Sequence, residues 1–405
     1  MLIRSGLLAV PLFLFAPAVN AQNTTIRVSN QPAWGTVPRV VEEVRVGSLD
    51  GPEETQFGMI TFVAPRQDGG FYVFDAQVPV IRHFDGQGRF VRNVGRSGGG
   101  PGEYSRAVQG VRTTIGGELA VWDPSNSRIT LFDSSGRYLR DHRVTGGQFY
   151  GDQAFGVDTA GNFYLKRADM SRVKPPAAGQ MVLETDFPLT FLKLAPTGAV
   201  IDTIRIPQNS NSARGFVLAT PQGYRGNFMP ESVTTLSNRG YLIVGHTGTY
   251  SLEVRIPGGR GRRLVRDSRP VPVTGAERDM WEAWSTTMQG RADQGGRPAF
   301  QSLPRTKPAF RGLWADDDGR IWVDRYVEAR KVEVEPRKPG DERPLYDWRE
   351  PPTFDVLTPE GSLLGTVVFP ADTYVYAARG RNVWAETKGE DDEPIVVRYR
   401  IEGAR

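Results

Sequence analysis

The feature that most constrains this chain is a pattern that returns six times: a glycine, apolar residues at alternating positions, then a polar residue. It reads Gly69-Gly70-Phe71-Tyr72-Val73-Phe74-Asp75, and again Gly117-Glu118-Leu119-Ala120-Val121-Trp122-Asp123. Further copies run from Gly161 to Arg167, Gly240 to His246 and Gly319 to Arg325, with a looser one from Gly380 to Thr387. Each copy predicts a short strand after a tight turn. A second strand follows and runs into another glycine turn, such as Asp85-Gly86-Gln87-Gly88 or Asp133-Ser134-Ser135-Gly136. Flanking strands bring each unit to four, here called a to d. Four-stranded units repeated around an axis predict an all-β, six-bladed β-propeller.

The last unit stops after its c strand (Ile395 to Arg400), and Val40 to Val46 has the pattern of a missing d strand. The N-terminal strand is therefore expected to close the last blade, which removes an open sheet edge. The polar ends of the repeats lie at 75, 123, 167, 246, 325 and 387, between 44 and 79 residues apart. A bare blade needs about 40–50 residues. The excess predicts insertions at 168–190, 208–230, 270–307 and 326–352. In a propeller these b–c and d–a connections share one face, where a ligand site is expected. The third insertion holds Thr274-Gly275-Ala276-Glu277, a capping-box spacing. Glu277, Met280, Trp281, Trp284 and Met288 then follow with helical periodicity, so one short helix is expected there.

The repeat resembles that of the six-bladed propellers with NHL-type repeats. The likeness rests on Gly98-Gly99-Gly100-Pro101-Gly102-Glu103-Tyr104 before a blade and on Asp123-Pro124-Ser125-Asn126-Ser127-Arg128-Ile129. It implies the fold and leaves activity open, because such propellers host many functions.

The N-terminus carries Arg4 and a ten-residue apolar run from Leu7 to Ala16, too short to span a bilayer as a helix. With Val19-Asn20-Ala21 after it, residues 1–21 read as a signal peptide, and residues 22–405 as the propeller. The expected location is periplasmic or secreted, with no membrane span after signal removal. The chain has no Cys, which excludes disulfide scaffolds and Cys-ligated metal sites. Basic residues are scattered among acids, so nucleic acid is not an expected partner. The densest basic run, Arg255 to Arg269, reads as a charged, solvated edge strand.

Candidate ligand-binding residues stand at or beside the repeat's last position: Arg167, His246, Arg325, Lys166, Asp324 and Glu386. Asp75 and Asp123 read instead as turn caps. The expected partner is a small polar ligand, a glycan or a protein. A metal-dependent, lactonase-like hydrolase or lyase is the alternative, and an interaction platform of the cell envelope a third. No catalytic residue or metal ligand is assigned. A divalent cation is the one cofactor left open, with Glu390-Asp391-Asp392-Glu393 as a Ca²⁺ loop or simply a solvated one. His83 and His142 fall on a c and a d strand, away from His246.

Overall fold

A computed structural model describes residues 23–34, 38–145, 148–149, 155–168, 189–207, 228, 230–280, 303–334 and 346–403. Segment 1–21 and most of the four insertions lie outside these residues, as do Trp281, Trp284 and Met288.

Six antiparallel sheets follow one another along the chain. The first has strands Ile60–Pro65, Phe71–Asp75, Val80–Phe84 and Phe90–Val94 as a to d. The second has Gly110–Thr113, Leu119–Asp123, Arg128–Phe132 and Tyr138–Arg143. The third has Phe155–Val157, Phe163–Ala168, Leu189–Leu194 and Val200–Arg205. The fourth has Ser232–Leu236, Leu242–His246, Ser251–Arg255 and Arg262–Val265. The fifth has Gly312–Ala315, Ile321–Arg325, Thr353–Leu357 and Leu363–Val368. The sixth supplies Tyr374–Arg379, Asn382–Lys388 and Pro394–Ile401 as a to c.

The repeat has a backbone cause. The glycine of the a–b turn sits at positive φ in all six blades: Gly69 (85°), Gly117 (83°), Gly161 (79°), Gly240 (74°), Gly319 (79°) and Gly380 (60°). A residue with a Cβ is disfavoured there, so the tight return from a to b selects glycine.

Buried apolar side chains form one cluster at each seam between neighbouring blades. Val94, Phe74, Val111 and Val121 join blades 1 and 2. Ala120, Trp122, Phe155 and Leu165 join blades 2 and 3. Tyr164, Phe191, Ile206 and Leu242 join blades 3 and 4. Ile243, Leu252, Ile321 and Leu357 join blades 4 and 5. Trp322, Val356, Val383 and Val397 join blades 5 and 6. Trp384, Val396, Phe71 and Phe84 then join blade 6 back to blade 1, so the ring closes. Each such side chain, fully buried, contributes about 1.5–3 kcal/mol, and the seams carry most of that.

Two N-terminal strands fasten this ring from outside. β1 (Thr24–Arg27) pairs in parallel with Arg262–Val265, the outer strand of blade 4. β2 (Val40–Val46) pairs antiparallel with Pro394–Ile401 and supplies the d strand of blade 6. Between them, the amides of Ala33 and Trp34 donate to the carbonyls of Leu363 and Leu364 on blade 5, at 2.9 and 2.8 Å. One segment thus crosses three consecutive blades.

The basic run from Arg255 to Arg269 is therefore not an open solvated edge. β1 covers its strand, and Arg266 turns inward to the carboxylate of Asp355, which is fully buried. The edge reading fails because pairing from a segment more than 200 residues earlier leaves no local trace.

The short helix begins as the capping box predicts. The Thr274 amide donates to Glu277 Oε2 at 2.8 Å, and the Glu277 amide donates back to Thr274 Oγ1 at 3.2 Å. Residues 275–280 are helical. The described end of the fifth blade's b–c insertion adds a hairpin of Arg330–Glu333 and Tyr346–Arg349.

Candidate functional site

Each a strand runs away from the insertion-bearing face, and each b strand returns to it. The b-strand ends place Asp75, Asp123, Arg167, His246, Arg325 and Thr387 at that face. Their surroundings differ.

Asp75 Oδ2 and Oδ1 accept the amides of Gly58 (2.9 Å) and Met59 (3.0 Å), and Oδ1 also accepts that of Gln77 (3.0 Å). Arg82 pairs with it at 3.3 Å. Burial pushes this carboxyl up, but those N–H donors outweigh it and hold it below the ordinary range. Asp123 takes the Ser105 amide (2.6 Å), the Ser105 hydroxyl (2.9 Å), the Ser125 amide (3.0 Å) and Asn126 Nδ2 (2.8 Å). Both carboxylates are occupied by the d–a connection that enters their blade. The glycine-rich segment 98–104 is held in the same way. Arg128 Nη2 donates to the carbonyls of Gly100 (2.6 Å) and Glu103 (2.7 Å), and Tyr104 Oη donates to Val94 (2.7 Å). This segment straps blade 1 to blade 2.

Arg325 Nη1 donates to Asp355 Oδ1 at 3.4 Å. Asp355 also accepts the Tyr250 hydroxyl (3.0 Å) and the Thr366 hydroxyl (2.6 Å), besides Arg266. Arg325 is thus tied to a buried carboxylate at the seam of blades 4 and 5. Lys166 and Arg167 lie on blade 3, opposite Phe191 and Thr190 of the next strand, half-buried. His246 lies opposite Ser232 on blade 4. Its ring covers Gly248, where an added Cβ would come within 3.1 Å of it. Arg167, His246 and Arg325 thus stand on three consecutive blades of one rim.

Glu386 meets Tyr376, whose hydroxyl lies 2.7 Å from the carboxylate and 2.8 Å from the Ile60 carbonyl. Burial raises the Glu386 pKa. A phenol has one proton for two acceptors. Tyr374 stands beside this pair at the entrance of the same strand, 61% exposed.

Asp324 belongs to a network that the repeat pattern does not reveal. Lys307 Nζ sits between Glu277 (2.7 Å) and Glu350 (2.8 Å), and none of the three side chains is more than 5% exposed. Arg311 joins Glu350 (3.0 Å) to Asp324 (3.5 Å). The Phe228 ring lies 5.2 Å from Lys307 and the Tyr326 ring 4.5 Å from Arg311. Burial pushes Glu277 up, but Lys307 and the Thr274 amide outweigh it and hold its carboxyl low. The network joins the 270–307 insertion to the inner end of blade 5. Its hubs, Lys307 and Glu350, come from insertions, and Asp355, the hub of the Arg325 cluster, comes from a c strand. Glu277 was readable only as a cap.

Chemically, the rim offers fixed cations, acids and an exposed aromatic. Among the described residues no three His, Asp or Glu side chains are grouped to hold a metal ion. The acidic loop Glu390 to Glu393 is exposed or half-exposed, with Lys388 paired to Asp392 at 3.0 Å. No helix among the described residues is long and apolar enough to cross a membrane.

No protein-family model matches the chain, and no curated protein does. Solved structures do. A member of the DUF4221 family from Bacteroides vulgatus is similar over 91% of this chain and 99% of its own, at 13% identity and a TM-score of 0.48. A gluconolactonase from Xanthomonas campestris is similar over 85% and 87%, at 12% identity and a TM-score of 0.40. A catalytically inactive virginiamycin B lyase from Staphylococcus aureus is similar over 90% and 99%, at 8% identity and a TM-score of 0.42. At these scores the likeness says nothing of activity, and the six-bladed fold stands on the chain's own strand pairing and closed ring of seams.

Proposed function

We propose that the chain is an exported six-bladed propeller that binds a small polar ligand, a glycan or a protein at its insertion-bearing face. One observation carries this reading: the ion network of Glu277, Lys307, Glu350, Arg311 and Asp324 at the inner end of blade 5. Buried ion networks add little net stability over apolar packing, and the ring already has six apolar seams. Such a network is better suited to holding a polar rim in a fixed geometry, which lowers the ordering cost of binding. His246, Arg167, Lys166 and exposed Tyr374 extend that rim around blades 3, 4 and 6. The targeting character of residues 1–21 supports export to the periplasm or beyond. The Asp123-to-Ile129 turn supports placing the chain beside the NHL-type propellers.

The test is a thermal-shift screen of the full chain against mono- and oligosaccharides and small polar metabolites. Hits are then titrated into a triple His246→Gln, Arg167→Gln, Tyr374→Ala variant. At least a tenfold loss of affinity is expected, with the melting temperature of the free protein nearly unchanged. Equal affinity in the variant overturns the reading. The alternative is a metal-dependent hydrolase or lyase at the channel mouth. Calorimetry with Ca²⁺ and Zn²⁺ tests it, and a saturable heat from either ion would favour that alternative.

A further inference from the structure

The opposite end of the channel carries an arrangement of charge that the short turns do not need. In the a strand of blade 2, Val111 is fully buried in the seam with blade 1, and Thr113 Oγ1 donates to the Pro65 carbonyl of blade 1 at 2.7 Å. Strand alternation turns Arg112 away from that seam, at the inner edge of the blade. The field of Asp317, which begins the a–b turn of blade 5, reaches Arg112, and Arg379, which ends the a strand of blade 6, bonds to the next residue, Thr113.

Arg379 fixes the geometry. Its Nε donates to Asp317 Oδ2 at 3.0 Å, and its Nη2 donates to Thr113 Oγ1 at 3.4 Å. Blades 6 and 2 are not adjacent. The second bond therefore passes blade 1 on the channel side and brings residues of blades 2, 5 and 6 together at the axis. Solvent still reaches them: Asp317 keeps 28% of its side-chain surface and Arg379 keeps 23%.

Among the described residues, Asp317 is the carboxylate whose field reaches both guanidinium groups, while Asp318 beside it is engaged by Arg320 and the Gly380 amide. Arg379 occupies Asp317 at 2.9 Å. Arg112 makes one hydrogen bond, from Nη1 to its own neighbour Val111 at 3.0 Å, and no ion pair among the described residues. Burial lowers the Arg112 pKa, and the field of Asp317, from across the channel, offsets this only in part. A half-buried cation with no direct ion pair among the described residues gains from an anion that arrives to balance it. The planar donor fork of Arg matches carboxylate and phosphate oxygens.

We propose that the turn-side end of the channel is an anion site, in which Arg112 and Arg379 bind a carboxylate or phosphate group beside Thr113 Oγ1. Arg379, Asp317 and Thr113 place the site towards the turn-side end of the channel, at the ends of a strands rather than at the b-strand ends of the insertion-bearing rim.

Calorimetry on the full chain at low ionic strength, with inorganic phosphate in one arm and succinate in the other, tests this and separates the two chemistries. Saturable binding of at least one anion is expected. Arg112→Gln should weaken it tenfold or more without lowering the melting temperature. Arg112→Lys, which keeps the charge and loses the fork, should weaken it several-fold. Asp317→Asn, which removes the competing carboxylate, should tighten it several-fold. The proposal is overturned if neither anion binds the wild type and the Asp317→Asn variant. It is equally overturned if Arg112→Gln, or Arg112→Lys should the first variant not fold, binds as the wild type does.

Discussion

The two ends of the channel handle charge in opposite ways. At the insertion-bearing end, Lys307 and Arg311 are matched by three carboxylates, Glu277, Glu350 and Asp324, most of them shut away from water. At the turn-side end, Arg379 pairs with Asp317 and Arg112 has no ion pair among the described residues, in a setting that solvent reaches. The first arrangement is closed and holds parts of the protein to one another. The second leaves positive charge to spare. The lesson is that a buried ion cluster and an unbalanced one, though built from the same residue types, predict opposite responses to losing a cation.

The largest effect should come from breaking the closed end. Lys307→Met leaves Glu277 and Glu350 buried without their cation, and should cost about 3–5 kcal/mol in urea unfolding. Arg112→Gln at the other end should cost nothing or stabilise slightly. If both variants lose stability equally, the contrast fails.

Acid should next expose a background common to both ends. His83 is buried against Tyr72, and burial pushes its pKa down to about 4. The unfolded chain therefore binds a proton between pH 6.5 and 4 that the folded chain refuses. Stability from this group is complete above pH 6.5 and falls as the pH drops towards 4, by about 3 kcal/mol in all. His83→Phe should flatten that part of the profile, measured as the urea midpoint against pH.

A smaller loss, about 1 kcal/mol, is expected for Thr274→Ala, which removes the cap that starts the insertion's helix. The finest discrimination is the sign of the remaining acid response. The Glu277 carboxyl is held low, so its stabilisation is present above the usual Glu pKa and is lost as the pH falls through the folded value. Burial raises Asp317, with Arg379 and Arg112 opposing. Its protonated form therefore favours the folded state at low pH, and that contribution fades as the pH rises. Glu277→Gln should make acid unfolding shallower and Asp317→Asn should make it steeper.

The blades were legible because their cause is local. Six glycines at positive φ and a period-two apolar pattern sit within a few residues of each other. The d strand of blade 6 was legible from the same pattern in Val40 to Val46 and from the missing strand at the other end. The pairing of β1 was not. Thr24, Thr25, Ile26 and Arg27 form a short and mostly polar strand whose partner lies near residue 262. The ion networks were hidden for a related reason. Lys307 and Glu350 are 43 residues apart, and Asp355 is a single acid within an otherwise ordinary c strand. Arg112 is one arginine among 43. Only the circular arrangement of the blades puts it across from Asp317.

The N-terminal segment that crosses blades 4, 5 and 6 bears on how such a chain matures. Arg27 meets Asp267 across 240 positions, and Glu43 meets Arg400 across 357. During synthesis or translocation from the N-terminus, these strands emerge long before their partners and present bare edges in the meantime. Sealing the circle has to wait for the last blade, and until then those edges are open to pairing with another copy.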